Sequence, residues 1–142
     1  MAEELRERSG ERAQDPVTVH VVSDSLGTTA TALVKAAAVQ FAVGTVSVSC
    51  LSHVSNVAQV EEYLSRFAPE GHGTALFHTI LDPQLREEIR HTLEDRNISS
   101  VDLLGPTVGM ISRLTGVDPL NIPGLVVDRD VDIVCHVDAR EL

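Results

Sequence analysis

The chain has 142 residues, 43% of them hydrophobic, and its 21 acidic and 11 basic side chains give a net charge of −10. This length is enough to bury the core of one domain without disulfide or metal support, and so acidic a balance argues against nucleic-acid binding. Three Phe and one Tyr are too few for a base-stacking platform, and no apolar run reaches membrane-spanning length. We expect a cytoplasmic protein that binds neither nucleic acid nor membranes.

Strand and helix patterns alternate along the chain. Residues 1–15 mix Glu and Arg with few apolar side chains and predict a flexible charged tail, followed by a single α/β domain over residues 16–142. We predict strands over residues 17–22, 45–51, 74–80, 98–104 and 125–137, and helices over residues 27–41, 56–67, 83–96 and 107–114. Such alternation implies an open, mostly parallel sheet with helices on both faces, a Rossmann-like or flavodoxin-like three-layer sandwich.

The junction after the first strand, residues 22–30, is the leading candidate for a binding site. Its sequence, VSDSLGTTA, places hydroxyls, one carboxylate and a glycine where a strand meets a helix. A helix N-terminus offers unpaired N–H groups and a partial positive charge to an anion. The simpler alternative is that Ser25 or Thr28 only caps the helix.

The predicted topology brings further polar residues to this junction, because ligands of open parallel sheets bind beyond the carboxyl ends of the strands. Ser52 and His53 follow the second strand, and Gly105 and Pro106 follow the fourth. We therefore predict a ligand- or phosphate-binding site that consists of Ser23, Asp24, Ser25, Gly27, Thr29, Thr79, Asp82 and Gly105.

Several other side chains favour structural interpretations. Lys35, the only lysine, lies in a helical pattern without a nearby glycine, which excludes a Walker-type phosphate loop in this chain. Cys50 and Cys135 form no CxxC pair and lie among apolar and β-branched residues, which predicts buried free thiols. His20 lies within the first predicted strand, where we expect its side chain to face the sheet. His78 lies within the third, where a satisfied core or interface histidine is commoner than a catalyst.

No metal site is predicted. His72 and His78 are separated by most of a strand and do not converge on a metal. Four aspartates alternate near the C-terminus, but no glycine-turned loop gathers them as calcium sites require, so we interpret them as an acidic face on an edge strand: Asp128, Asp130, Asp132 and Asp138.

A rival interpretation starts from Ser23-Asp24-Ser25-Leu26, which is similar to the nucleophile block of the Gly-Asp-Ser-Leu esterases, with Ser25 as nucleophile. Such an enzyme needs a histidine base oriented by a carboxylate. Asp132 and His136 are the candidates, yet residues four apart on a strand lie about 13 Å apart. Ester hydrolysis that Ser25→Ala abolishes would favour this hydrolase.

Four stretches occur in a distinctive order: VSDSLGTTA at 22–30, Gln40-Phe41, FHTILDPQLRE at 77–87, and VDLLGP at 101–106 followed by Pro123-Gly124-Leu125. Together they resemble the N-terminal half of the pyruvate, phosphate dikinase and phosphoenolpyruvate synthase regulatory proteins, a family of bifunctional kinase/pyrophosphorylases. The resemblance covers about residues 17–125.

The resemblance implies that a dikinase or synthase is the target. Members of this family phosphorylate a threonine of the target with ADP, and they remove that phosphate with inorganic phosphate, releasing pyrophosphate. ADP or ATP and inorganic phosphate are thus the implied substrates, no cofactor is expected in this chain, and a homodimer stays open. The family's P-loop and acidic catalytic segment belong to a C-terminal half, whereas the last residues here, VVDRDVDIVCHVDAREL, do not follow the family pattern.

The first motif also departs from the family, in which it reads Asp-Ser-Thr-Gly-Glu-Thr. Leu26 and Thr28 replace the threonine and the glutamate, whereas the flanking aspartate, serine, glycine and second threonine match. Contact with a phosphate or nucleotide survives these changes, but acid–base chemistry by the missing glutamate does not. We therefore expect a domain that binds a ligand or the target enzyme and is inactive alone. A free-standing, non-catalytic interaction domain is the remaining alternative.

Overall fold

A computed structural model describes residues 16–71, 73–125, 131–132 and 134–142. Four strands within these residues form one parallel sheet in the order β2–β1–β3–β4: β1 (Val17–Ser23), β2 (Val46–Leu51), β3 (Ala75–Thr79) and β4 (Ser99–Asp102). The helices are α1 (Thr28–Ala38), α2 (Val57–Phe67), α3 (Pro83–Asp95) and α4 (Gly105–Thr115). The predicted α/β architecture with an open parallel sheet is confirmed. Among these helices, none has the length and apolar character needed to cross a membrane.

Local sequence signals determine where the helices begin and end. At the start of α2, the Asn56 side chain accepts from the Gln59 N–H at 3.1 Å and the Gln59 side chain accepts from the Asn56 N–H, which forms a capping box. At the start of α3, Asp82 is the N-cap and Pro83 occupies the first turn, as predicted. Helix α4 ends at Gly116, whose φ of 72° is left-handed.

Two hydrophobic cores of unequal size lie on the two faces of the sheet. Helix α1 covers a small core of three buried residues, Val21, Ala30 and Val34. Helices α2 and α3 cover the other face, where the predicted apolar side of α3 is buried. This larger core contains Val22, Val54, Val60, Tyr63, Leu64, Ala68, Leu76, Ile80, Leu85, Ile89, Leu93 and Ile98.

A short chain of hydrogen bonds links three polar side chains at the larger core. The Tyr63 hydroxyl donates to Ser49 Oγ at 2.6 Å, so the Nδ1–H of His20 donates to the Tyr63 oxygen, also at 2.6 Å. Burial raises the pKa of Tyr63 and lowers the pKa of His20. His20 is thus a buried histidine whose Nδ1 is hydrogen-bonded.

The predicted terminal strand over residues 125–137 is wrong in its described part. Residues 131–132 and 134–138 adopt no strand, and a short 3₁₀ helix, Ala139–Glu141, begins where the Asp138 carboxylate accepts from the Arg140 N–H at 2.9 Å. An alternating segment needs a paired neighbour to form a strand, and β4 has none on its outer side within the described residues. The predicted tail over residues 1–15, His72, Asp128 and Asp130 lie outside the described residues.

Two predictions of burial also need correction. Cys50 and Cys135 are free thiols, but both are exposed. Cys50 is exposed because β2 is an edge strand of the sheet. The predicted apolar side of α1 is mostly exposed, and both Leu33 and Phe41 are open to solvent. The helix ends at Ala38, and the only residues that it buries are Ala30 and Val34.

Candidate functional site

The turn after β1 is attached by hydrogen bonds to the segment that follows β2. Within the turn, Ser23 Oγ accepts from the Ser25 N–H at 3.0 Å. The Ser25 carbonyl accepts from the His53 N–H at 2.8 Å, and the Ser23 carbonyl accepts from the Val54 N–H at 2.9 Å. The carboxyl ends of β1 and β2 therefore meet, as the parallel topology predicts.

Asp24 joins the same turn to the segment that follows β3. Its Oδ2 accepts a hydrogen bond from the Leu81 N–H at 2.8 Å. This bond links two loops through residues that are 57 positions apart in the sequence. The predicted juxtaposition of the first and third strand ends is confirmed.

Gly27 is the N-cap of α1 and has a left-handed φ of 85°. A Cβ at this position would lie 2.7 Å from Cys50 Sγ, so the position needs glycine for both its conformation and its space. No side chain of the described residues caps the helix, so the alternative in which Ser25 or Thr28 is merely a cap is wrong. The N–H groups of the first turn of α1 therefore face outward without an intrahelical partner.

A cleft of about 810 Å³ opens beside this helix terminus. The strand order 2-1-3-4 places a topological switch point between β1 and β3, which is where doubly wound sheets bind ligands. The lining consists of residues 23–30, His53, Thr79, Leu81, Leu104, Val108 and residues 119–125.

Six of the eight predicted site residues line this cleft: Ser23, Asp24, Ser25, Gly27, Thr29 and Thr79. Their ligand-binding role stays a prediction, but the structure does bring them together. The other two lie outside the lining. Asp82 caps α3 by accepting from the Gln84 N–H at 3.3 Å, and Gly105 donates its N–H to Asp102 Oδ1 at 2.7 Å. Capping explains the aspartate at position 82, and a Cβ at position 105 would clash with the Asp102 carboxylate, which explains the glycine.

The opposite wall of the cleft, residues 119–125, is absent from the predicted site. Its sequence signal was the Pro123-Gly124-Leu125 triplet, which contributed to the family resemblance but gave no indication of where the segment lies. Asn121 has a positive φ of 55° and Gly124 one of 80°, and these two turns direct the segment over the cleft. Leu81, Leu104 and Val108, which are also absent from the predicted site, make this lining substantially apolar.

The cleft has few charged groups. Among its described lining residues, Asp24 and His53 are the only ionisable side chains, and there is no Lys or Arg. His53 is one of three non-glycine residues with positive φ in the described chain, at 55°. No group of three or more His, Cys, Asp or Glu side chains in that part of the chain is placed to hold a metal ion.

A second polar cluster lies at the ends of β3 and β4, where His78 and Asp102 are partners in register. His78 is only 4% exposed and its Nδ1 has no hydrogen-bond partner, so the prediction of a satisfied histidine is wrong for this residue. Burial lowers the pKa of His78, against an opposing effect of Asp102, and Arg86 lowers it further. Arg86 Nε lies 3.8 Å from Asp102 Oδ2, and Asp102 Oδ1 accepts from the N–H of Gly105, the first residue of α4.

The geometry around Ser25 does not assemble a hydrolase triad. Its hydroxyl lies 3.4 Å from Ser23 Oγ, and within the described residues it has no hydrogen bond to a histidine. Asp132 and His136, the candidates for the orienting acid and the base, lie in a segment that adopts no strand. The Ser25 esterase therefore gains no support from these contacts.

Comparison with known proteins relates this fold to one family. The kinase/pyrophosphorylase family model matches residues 19–141. A protein of Carboxydothermus hydrogenoformans is 33% identical over 128 residues, 90% of this chain and 45% of its own length. A protein of Halalkalibacterium halodurans is 35% identical over 128 residues, 90% of this chain and 46% of its own. Both are provisionally named pyruvate, phosphate dikinase regulatory proteins.

A third relative, from Shouchella clausii, has the same provisional name and is 31% identical over 125 residues, 88% of this chain and 45% of its own length. The chain thus spans less than half the length of the curated relatives it matches. The matched residues include β1 from residue 19 onward, the cleft and both of its walls. This chain belongs to the kinase/pyrophosphorylase family.

Proposed function

We propose that this chain is the phosphate-binding part of a regulatory protein that reversibly phosphorylates a threonine of pyruvate, phosphate dikinase or phosphoenolpyruvate synthase. The observation that carries this proposal is the cleft at the switch point between β1 and β3, into which residues 23–30 extend. The ligand would be a nucleotide or inorganic phosphate, as the family's chemistry requires. A cytoplasmic location and a dikinase or synthase partner belong to the same proposal.

The N-terminus of α1 supplies the attraction for a phosphate. Its first-turn N–H groups have no side-chain cap, and the helix dipole adds a partial positive charge at the same point. Ser25, Thr29 and Thr79, which each carry a hydroxyl, are among the residues that line the cleft. Thr79 is buried, with 9% of the residue exposed, and it is one of the lining residues.

Binding without transfer is the activity that we assign to the isolated chain. Phosphoryl transfer depends on positioning and on cationic groups that neutralise the charge developing on the phosphate. The described lining of the cleft contains no Lys or Arg. Transfer to a target threonine therefore requires residues beyond those that form this cleft.

A carboxylate placed at the first turn of α1 tests the proposal. Thr29→Asp adds a negative charge where the phosphate would bind, yet it favours the helix because acidic residues stabilise the first turn. We expect the affinity for inorganic phosphate, pyrophosphate and ADP to fall on the order of tenfold or more, which corresponds to about 1.4 kcal/mol. Isothermal titration calorimetry would measure the loss.

Thr107→Asp is the matched control, since Thr107 occupies the first turn of α4, is exposed and lies outside the cleft lining. It makes the same chemical change at another helix start and should leave phosphate affinity unchanged. Equal affinities for the unmodified chain and Thr29→Asp would contradict the proposal, as would the absence of binding by the unmodified chain.

A further inference from the structure

Helix α4 and the residues after it expose an unusual amount of apolar surface. None of the eleven residues of α4 is buried. Five large apolar side chains are at least half exposed, with Leu114 the most exposed at 82%, and they define what we call the α4 surface: Met110, Ile111, Leu114, Val117 and Leu120. Soluble proteins seldom leave such a cluster without a partner.

The helix also lacks the packing that normally stabilises a helix of its length. An isolated helix of eleven residues is marginal in water, and most helices in proteins depend on burial of an apolar stripe. On α4 the apolar residues Met110, Ile111 and Leu114 recur at helical spacing, yet they face solvent. The pattern is that of a buried helix whose covering layer belongs to another polypeptide segment.

A groove of about 450 Å³ runs along this helix, and its lining combines the apolar residues Val108, Ile111, Val117 and Pro119 with Ser112, Thr115 and Asp118. Val108 and Pro119 line both this groove and the ligand cleft. A segment seated in the groove therefore lies directly beside the mouth of the cleft.

The relatives indicate what such a segment is. More than half of the Carboxydothermus hydrogenoformans and Halalkalibacterium halodurans proteins lies outside their match with this chain. The outer edge of β4, from which α4 continues, has no paired strand within the described residues, and Val101 on it is 50% exposed. Both an edge strand and an apolar helix are thus available to the unmatched part.

Charge adds a second argument for this occupant. The chain has a net charge of −10, and its cleft presents no Lys or Arg among the described lining residues. A segment that docks beside the cleft with a Lys or Arg would complement both features. A second acidic copy of the same chain would instead be repelled at low ionic strength.

We propose that the α4 surface is the docking site for the polypeptide that corresponds to the unmatched part of the longer relatives, with its cationic side chains directed to the cleft. The occupant inserts apolar side chains into the groove between Ile111 and Val117. The docking rests on the exposed surface alone, whereas the cationic contribution to the cleft rests on the proposed phosphate binding.

Hydrogen exchange in α4 tests the docking. The full 142-residue chain is fused to the unmatched segment of the Carboxydothermus hydrogenoformans relative, and the α4 amides are compared with those of the unfused chain. We expect exchange in the fusion to be slower on the order of tenfold or more, because docking suppresses local opening of the helix. Leu114→Asp should remove this protection. Val43→Asp, the same kind of change at an exposed site on the α1–β2 connection, should retain it.

A second fusion with the Halalkalibacterium halodurans segment covers the case in which one segment fails to fold. Equal α4 exchange in both fusions and in the unfused chain would overturn the docking proposal. A homodimer of the unfused chain in sedimentation velocity that Leu114→Asp dissociates would also overturn it, because the occupant would then be a second copy. Slowed α4 exchange in a fusion that binds no phosphate would keep the docking and reject only the phosphate-binding function.

Discussion

The face of the sheet under α2 and α3 buries twelve apolar residues, whereas the face under α1 buries three in the part of the chain that the structure describes. The cleft opens on the thinner face, at the carboxyl ends of the strands. Ser23 and Thr79, which are partners in register, line it there. The preceding pair, Val22 and His78, faces the opposite side of the sheet. The larger hydrophobic core and the cleft thus lie on different faces of the sheet. A thinly packed layer opens at lower free-energy cost, which suits the ligand binding that we propose for this cleft.

The largest expected effect is the difference in free energy of unfolding between core truncations on the two faces of the sheet. Ile89→Ala, in the thick layer, should lower the free energy of unfolding by about 2–5 kcal/mol, because it leaves a cavity that its neighbours fill poorly. Val34→Ala, in the thin layer, removes two methyl groups and should cost about 1–2 kcal/mol. Urea unfolding of both variants measures the difference. Equal losses would contradict the contrast between the layers.

A smaller effect is expected at Gly27, where the thin layer meets the cleft. Gly27→Ala should lower the free energy of unfolding by about 1–2 kcal/mol, because alanine disfavours a positive φ and its Cβ would approach Cys50 Sγ. Thermal unfolding measures this cost.

Cys50→Ala separates the two contributions to the Gly27 effect. Combined with Gly27→Ala, it removes the close contact with the sulfur and should recover only part of the lost stability, since the strain in φ remains. Complete recovery in the double variant would show that the contact alone, and not the left-handed backbone, sets the requirement for glycine.

The smallest effect concerns the protonation of His78 in the thick layer. Burial lowers its pKa below the ordinary histidine value of 6.5, so the unfolded chain takes up a proton that the folded chain resists. Stability should therefore hold above about pH 7.5 and fall as the pH drops through about 6.5, by up to about 0.8 kcal/mol between pH 7.5 and pH 6 for this histidine. Urea midpoints across this range measure the slope.

His78→Gln should remove the part of this pH dependence that comes from His78. The part that comes from His20 should remain, because burial also lowers the pKa of His20. His91→Gln is the matched control, because His91 lies on the exposed surface of α3. An unchanged slope in His78→Gln would contradict the assignment of a neutral, buried His78.

The elements that sequence alone predicts well are those with a strong local signal. Asp82 and Pro83 fix the start of α3, and Leu85, Ile89 and Leu93 recur at a helical period that the thick layer buries. The turn at residues 23–27 could be found because an apolar strand ends there abruptly before a helix. Its attachment to both neighbouring strand ends follows from parallel topology.

The remaining features depend on tertiary context that no local pattern encodes. Residues 119–125 have no periodicity, so their place over the cleft could not be predicted. The apolar residues of α1 have a helical period, but Leu33 stays exposed because only a narrow line of contact reaches the sheet. Likewise, residues 131–137 alternate as a strand does, yet alternation forms no ladder without a paired neighbour.

Val108 and Pro119 belong to the walls of both the ligand cleft and the α4 groove. A shift of either residue changes the shape of both spaces at once. If filling the groove changes the cleft's affinity for a phosphate by some factor, the phosphate changes the affinity of the docked segment by the same factor. The proposed phosphate binding and the proposed docking together predict that Val108 and Pro119 couple the two events, and the strength of that coupling can be measured from either end.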